Sequence, residues 1–201
     1  MKRIRKNWLV LPLAIVGFYY LLFSIRNADT EMIFDGFIYV FILLIFFIVL
    51  GFSFKKDYKA NKIKQNWLNF IPSIFGIILL ISFGVTELVL IMRDNSPVLL
   101  SANYNGDFNG AWFEFRSDGT YKFVNHAGVG AQYFRGNYTL EDSIITLDRK
   151  EIDGVIFTNK LAIRDKAFVD LKYKILYQID ENHKVVSKTF CFLVDKNHII
   201  E

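Results

Sequence analysis

The stretch GAWFEFRSDGTYKF, residues 110–123, decides the reading of this chain. Side chains alternate along a strand, so Phe113 and Phe115 fall on one face and Trp112, Glu114 and Arg116 on the other. Ser117, Asp118 and Gly119 supply a turn, after which Tyr121 and Phe123 return on one face. The segment is a β-hairpin. N-terminal to it, up to about residue 93, apolar runs are unbroken; from it onward the pattern alternates.

Further strands are expected in AQYFRGNYTL, SIITLDR, VIFTNKLAI, FVDLKYKILYQI and KVVSKTFCFLV, separated by GVG, Glu141-Asp142, Lys150 to Gly154, Arg164 to Lys166 and Asp180 to Asn182. In the fourth, Val169, Leu171, Tyr173, Ile175, Tyr177 and Ile179 form one apolar face against Asp170, Lys172, Lys174 and Gln178. About seven or eight antiparallel strands in so short a segment leave unpaired edges unless they close. The expectation for residues 94–201 is an all-β domain, a small antiparallel up-and-down barrel.

Residues 1–93 read as a membrane region. Three apolar runs, about 8–25, 33–54 and 67–92, are long enough for helices crossing a hydrocarbon core of roughly 30 Å. The mean hydropathy of +0.27 reflects them. Lys2, Arg3, Arg5 and Lys6 precede the first run, and Lys55, Lys56, Lys59, Lys62 and Lys64 lie in the loop KKDYKANKIKQN between the second and third. Basic flanks stay cytoplasmic, so the N-terminus is inside and the C-terminal domain extracytoplasmic, in a bacterial inner membrane; with only two spans the domain would be cytoplasmic. Asp35 and Glu87, the ionisable residues within the runs, fall near the outer headgroups. Gly76, Ser82 and Gly84 offer a small-residue face for homo-oligomer contacts between helices, although lipid-facing filler fits them as well.

The formal charge of +4 comes from this N-terminal part, and acids and bases nearly cancel after Pro97, which argues against direct DNA or RNA binding. The single Cys191, read as a buried strand residue, excludes an internal disulfide. His126, His183 and His198 lack metal-ligand spacing, and Asp118, Asp142, Asp153, Asp165 and Asp180 sit at turns, where aspartate bonds the local backbone. Gly128-Val129-Gly130 does not open a helix after a strand, as a phosphate loop would. No catalytic residue, metal or cofactor is expected, and the chain reads as non-enzymatic. Binding is expected at a barrel rim. The segment NHAGVGA, residues 125–131, is the candidate loop, with His126, Gly128 and Gly130 leaving backbone amides accessible, and Tyr121 and Tyr133 are candidate aromatic contacts for a small ligand or protein.

Gly110-Ala111-Trp112 followed by F-x-x-D-G-T-Y-x-F resembles bacterial lipocalin-like domains over about thirty residues. That resemblance implies a barrel one end of which Gly110 and Trp112 close. It implies a ligand-binding module of the envelope-sensor or toxin-immunity kind. The overall layout, membrane helices followed by a compact barrel, is also similar to the transmembrane β-barrel effectors of CBASS antiphage systems. This second likeness implies a barrel that binds a cyclic oligonucleotide and helices that assemble and disrupt the inner membrane; that family has two spans and a cytosolic barrel.

Overall fold

The computed structural model describes residues 7–168, 171–187 and 189–198. Among these, residues up to Ala28 together with Ile33–Arg93 form a helical unit, and Asp29–Met32 with the residues from Asp94 onward form a sheet unit.

The helical unit contains α1 (Val10–Arg26), α2 (Asp35–Ile63), a 3-10 turn (Trp67–Phe70) and α3 (Ile71–Met92). Its core is an apolar seam of Leu13, Tyr20, Ile42, Phe46, Leu50, Leu79 and Phe83. Two glycines set how closely the helices approach. A Cβ at Gly17 would lie 2.7 Å from Leu79, and one at Gly76 would lie 2.4 Å from Leu50, so Gly76 packs within the unit while Gly84 faces open space. Glu87 accepts hydrogen bonds from Tyr20 (3.1 Å) and Ser24 (2.8 Å) on α1. The segment KKDYKANKI, expected as a loop, is the last part of α2. It holds no glycine or proline to stop the helix, and Asp57 is buried, accepting from the Ser73 hydroxyl at 2.6 Å and the Ser73 amide at 3.1 Å.

Two stretches, Asp35–Ile63 and Trp67–Met92, are long and apolar enough to cross a membrane; α1 is shorter, at 17 residues. Their large apolar side chains mostly point outward, as at Phe37 (74% exposed), Phe41 and Leu88.

The sheet unit contains β1 (Thr30–Met32), β2 (Val98–Gly106), β3 (Asn109–Arg116), β4 (Thr120–Ala127), β5 (Gly130–Glu141), β6 (Ile144–Leu147), β7 (Lys160–Phe168), β8 (Leu171–Ile179) and β9 (Phe192–Asn197). From β2 to β9 each strand pairs antiparallel with the next in the chain, and β9 returns to β2, closing an eight-stranded up-and-down barrel. One edge of the long β5 serves two neighbours: its N-terminal half pairs with β1 (Thr30 opposite Gln132) and its C-terminal half with β6 (Tyr138 opposite Leu147). The connection between α1 and α2 therefore supplies a ninth strand to the sheet, which nothing in RNADTE announces.

Phe113 is the centre of the interior, with ring centroids 5.2 Å from Phe115, 4.7 Å from Phe123 and 5.3 Å from Phe192. These rings, with Leu100, Tyr121, Ile145, Leu161 and Leu176, fill the barrel. An eight-stranded barrel is just wide enough for side chains to pack its axis.

Three details correct the sequence reading. Residues 155–159 are not strand: Ile152 and Ile156 bridge each other, and with Val155 they fold into the core as an inward loop between β6 and β7. On β8, Leu176 and Gln178 face the interior, whereas Ile175 and Ile179 are buried outside the main cluster. Gln178, expected on the wet face, is thus inside, while on the expected apolar face Ile175 and Ile179 are buried and Tyr173 is exposed, so apolarity alone does not report direction on this strand; Val169 and Asp170 of that pattern lie outside the described residues. Finally, β9 begins at Phe192, and Cys191 is a half-buried free thiol just before it.

Candidate functional site

At one end of the barrel the β4–β5 hairpin, β1 and the β6–β7 loop surround a groove of about 270 Å³. Its walls are Thr30, Glu31 and Met32 on β1, Asn125 and Ala127 on β4, Val129 to Gln132 at the hairpin, and Asp153 on the loop. The strand pleat explains the choice. Asn125 and Ala127 continue the face of Tyr121 and Phe123, so they look into the mouth of the barrel, and register places Gln132 beside Asn125 and Thr30 beside Gln132.

The groove has a definite electrostatic character. Asn125 Nδ2 donates to Asp153 Oδ2 at 2.6 Å, which fixes the inward loop against β4. Glu31 accepts from the Tyr133 hydroxyl, and burial together with this carboxylate pushes the Tyr133 phenol up to about 12. Among the described residues of the walls, Glu31 and Asp153 are acidic, Thr30, Asn125 and Gln132 are neutral and polar, and none is lysine, arginine or histidine; the Glu31 carboxylate itself is held by Tyr133 on the outer face. The chemistry this set offers is acceptance of hydrogen bonds from neutral or positively charged donors.

Beside the groove, the outer face of β3–β5 carries a charged row. Glu114, Lys122 and Arg135 stand in register, and Asp94 is gripped by Arg135 through Nε (2.8 Å) and Nη2 (2.7 Å), with Lys122 Nζ 3.0 Å away. The Arg135 hydrogen bonds hold the Asp94 carboxyl well below the usual carboxylate range despite partial burial. Arg135 also pairs with Asp29, and Arg116 donates to the Asp94 and Ser96 carbonyls and to Glu114. The Lys122 ammonium lies 4.9 Å above the Tyr133 ring. Residues 29–31 and 94–96 are in this way tied to the barrel wall.

The site residues expected from sequence separate. Gly130 lines the groove, and its missing side chain lets β1 approach, since a Cβ there would meet the Glu31 carbonyl oxygen at 2.4 Å. His126 is exposed and on the opposite face of β4 from Asn125, next to Gly110 and Ala131 in register. Gly128 is at the turn, and the expected irregular loop is a tight hairpin whose ladder runs to Ala127 opposite Gly130. Tyr121 is buried near the other end of β4, donating to Asp148 Oδ1 at 3.1 Å, with burial raising its phenol above the usual value. Tyr133 is on the outer wall. Trp112 is half-buried on the outer face opposite Val124, outside the interior cluster; the interior at the groove end is filled by Ile152, Val155 and Ile156. Asn125 lies within the expected loop without being singled out, and Gln132, Thr30 and Asp153 were not expected at the site. For the first two the signal was the pleat continued from Phe123; for Thr30 no local signal exists.

Among the described residues no group of three or more His, Cys, Asp or Glu side chains is placed to hold a metal ion. Comparison with known families, curated proteins and solved structures finds no match to this chain.

Proposed function

We propose that the chain is a non-enzymatic, multi-pass membrane protein whose lipocalin-like barrel recognises a neutral or cationic polar ligand, or a protein side chain of that chemistry, on the extracytoplasmic side. The observation that carries this reading is the groove: Asn125, Gln132 and Thr30 beside Glu31 and Asp153, with no cation among the described residues of its walls. The interior is filled with aromatic side chains, which moves recognition from the barrel axis to its mouth. An envelope sensor or a toxin-immunity protein fits such a surface.

Read as three spans, the helices fit this sidedness. At about 1.5 Å per residue, α1 with Trp8 and Leu9 approaches the thickness of a hydrocarbon core. Pairing of β1 with β5 needs residues 30–32 and the barrel on one side, which two crossings by α2 and α3 satisfy. The basic ends then fall on the other side.

A second reading, the CBASS-type effector, is favoured by one observation: α2 and the Trp67–Met92 stretch are the two helices of full spanning length, as in a two-span layout. The absence of cations among the described residues of the groove walls weighs against an oligonucleotide there, because phosphate recognition calls for Arg or Lys. The test combines sidedness with binding. A reporter active only outside the cytoplasm is fused after Glu201, and melting of the purified full chain is followed with spermidine, a neutral sugar panel and a cyclic dinucleotide. The first reading expects an active reporter and a higher melting temperature with the amine or a sugar, lost in Asn125→Leu/Asp153→Asn. An inactive reporter with stabilisation by the dinucleotide would replace it with the second.

A further inference from the structure

Consecutive strands of the barrel run in opposite directions, so alternate connections gather at one end. The groove end collects the β2–β3 and β4–β5 turns, the β6–β7 loop and the β8–β9 connection. Each presents a large apolar side chain to solvent: Phe108 (87% exposed), Val129 (69%), Phe157 (47%) and Val186 (50%). Phe157 is partly backed by the Phe190 ring, 6.2 Å away. At the other end, the β3–β4 turn is Ser117-Asp118-Gly119 and the β5–β6 turn Asp142-Ser143, with no apolar side chain in either.

Turn chemistry does not ask for this asymmetry. Asp107 takes the positive φ (58°) of the β2–β3 turn, a conformation aspartate tolerates, and Phe108 beside it is the most exposed large apolar side chain among the described residues of the sheet unit. The Gly128 amide donates to the Phe108 carbonyl at 3.3 Å, so the tips bearing Phe108 and Val129 are held side by side. The connections to the helices are asymmetric in the same sense. Met32, opposite Gly130 and so next to Val129, precedes α2 by three residues, a reach of about 10 Å. The chain that follows α3 meets Arg135, midway along β5, at Asp94, and reaches Ser117 at the far end only with Ser96 and Pro97. The tether to α2 thus starts from the groove end, and the one from α3 runs along the wall away from it.

From this we propose that the groove end of the barrel faces the bilayer surface, with Phe108 and Val129 dipping into its headgroup layer and Phe157 and Val186 at the same rim. Lipid fits this end better than a protein partner does. Side chains on separate connections, flanked by polar residues such as Asp107 and Asn109, enter a headgroup layer one by one while their neighbours stay hydrated, whereas a protein interface is built around a contiguous apolar centre. The inference rests on the reading of α2 and α3 as membrane helices and is independent of which ligand the groove takes.

The test uses the full chain with Cys191→Ala, to which Phe108→Cys, Val129→Cys, Asp118→Cys or Leu44→Cys is added singly. Each variant is labelled with an environment-sensitive fluorophore and reconstituted in phosphatidylcholine nanodiscs. Emission from Phe108→Cys and Val129→Cys should be quenched by lipids spin-labelled near the headgroup, and about threefold less by aqueous iodide than emission from Asp118→Cys at the opposite end. Leu44→Cys, within the apolar part of α2, should be quenched by lipid and protected from iodide. Tips that behave like Asp118→Cys while Leu44→Cys is lipid-quenched would overturn the inference and leave the membrane reading intact. Tips shielded from both quenchers would overturn it in favour of a protein cover. Leu44→Cys open to iodide would overturn both.

Discussion

Gln178 has no access to solvent, and both ends of its amide are occupied: Oε1 accepts from the Phe157 amide and Nε2 donates to the Val155 carbonyl, each at 2.8 Å. One side chain on β8 thereby satisfies two backbone groups of the inward loop. Gln178→Leu keeps the volume but strands both, so it should destabilise the purified protein by about 1–3 kcal/mol, read from denaturant unfolding. Asp94 is the other decisive residue. Its carboxyl is depressed by Arg135, so the pairing contributes fully above the unfolded carboxylate value near 4. Below that pH the unfolded chain takes up the proton first, and stability falls as the pH drops toward the depressed folded value. Wild-type protein should therefore lose melting temperature between about pH 4 and pH 2, and Asp94→Asn should start lower and show a flatter profile over that range. Sequence made the hairpin faces legible, because Phe113 and Phe115 alternate with charged Glu114 and Arg116. It misdirected the eye on β8, because Ile175 and Ile179 outside the core cluster look like core residues when only periodicity is considered.

The element that fills the groove end of the barrel is the β6–β7 loop rather than a strand or a tryptophan. Asp153 and Gly154, both at positive φ, reverse the chain so that Ile152 and Ile156 meet and enter the core with no solvent exposure to speak of. Truncating Ile156 to alanine should cost about 2–5 kcal/mol, the range for deleting a buried aliphatic side chain. Trp112→Ala, on the half-buried outer face, should cost distinctly less, and calorimetry of the two variants compares them directly. Apolar VIF before a threonine has the composition of a strand, and composition does not distinguish an apolar run that pairs with neighbours from one that plugs them. The strand-rich, up-and-down character was legible because turn residues recur between alternating segments. The groove was legible only in part: the hairpin 125–131 contributes Asn125, Ala127 and Val129 to Ala131 to its lining, whereas His126 and Gly128 are not among the lining residues.

On the scale of the whole molecule, sequence separated apolar helices from an alternating C-terminal part with the change at residues 93–94, because the two periodicities do not overlap. It could not place Thr30–Met32, three residues of ordinary connector composition whose strand character depends on a partner about a hundred residues away. Gly130 makes that pairing possible, and Gly130→Ala should push β1 off β5. The expected outcome is faster amide hydrogen exchange at residues 30–33 and 133, with the barrel strands β6 to β9 unchanged; unaltered exchange would mean that the β1 backbone gives way without separating.

The pairing also fixes an order of assembly. Every barrel strand except the closing pair meets its immediate successor in the chain, so the cylinder forms from contacts close in sequence, whereas β1 has been made long before its partner exists. Its edge must wait through the synthesis of α2, α3 and three strands before Gln132 arrives. Distant pairings are the slow ones, because the entropy of the intervening loop is lost before the contact forms. The nascent protein therefore passes through an interval in which the first connection between helices is an unpaired edge, available to chaperones or to another copy's β5, and a mature fold in which that availability has been closed by its own chain.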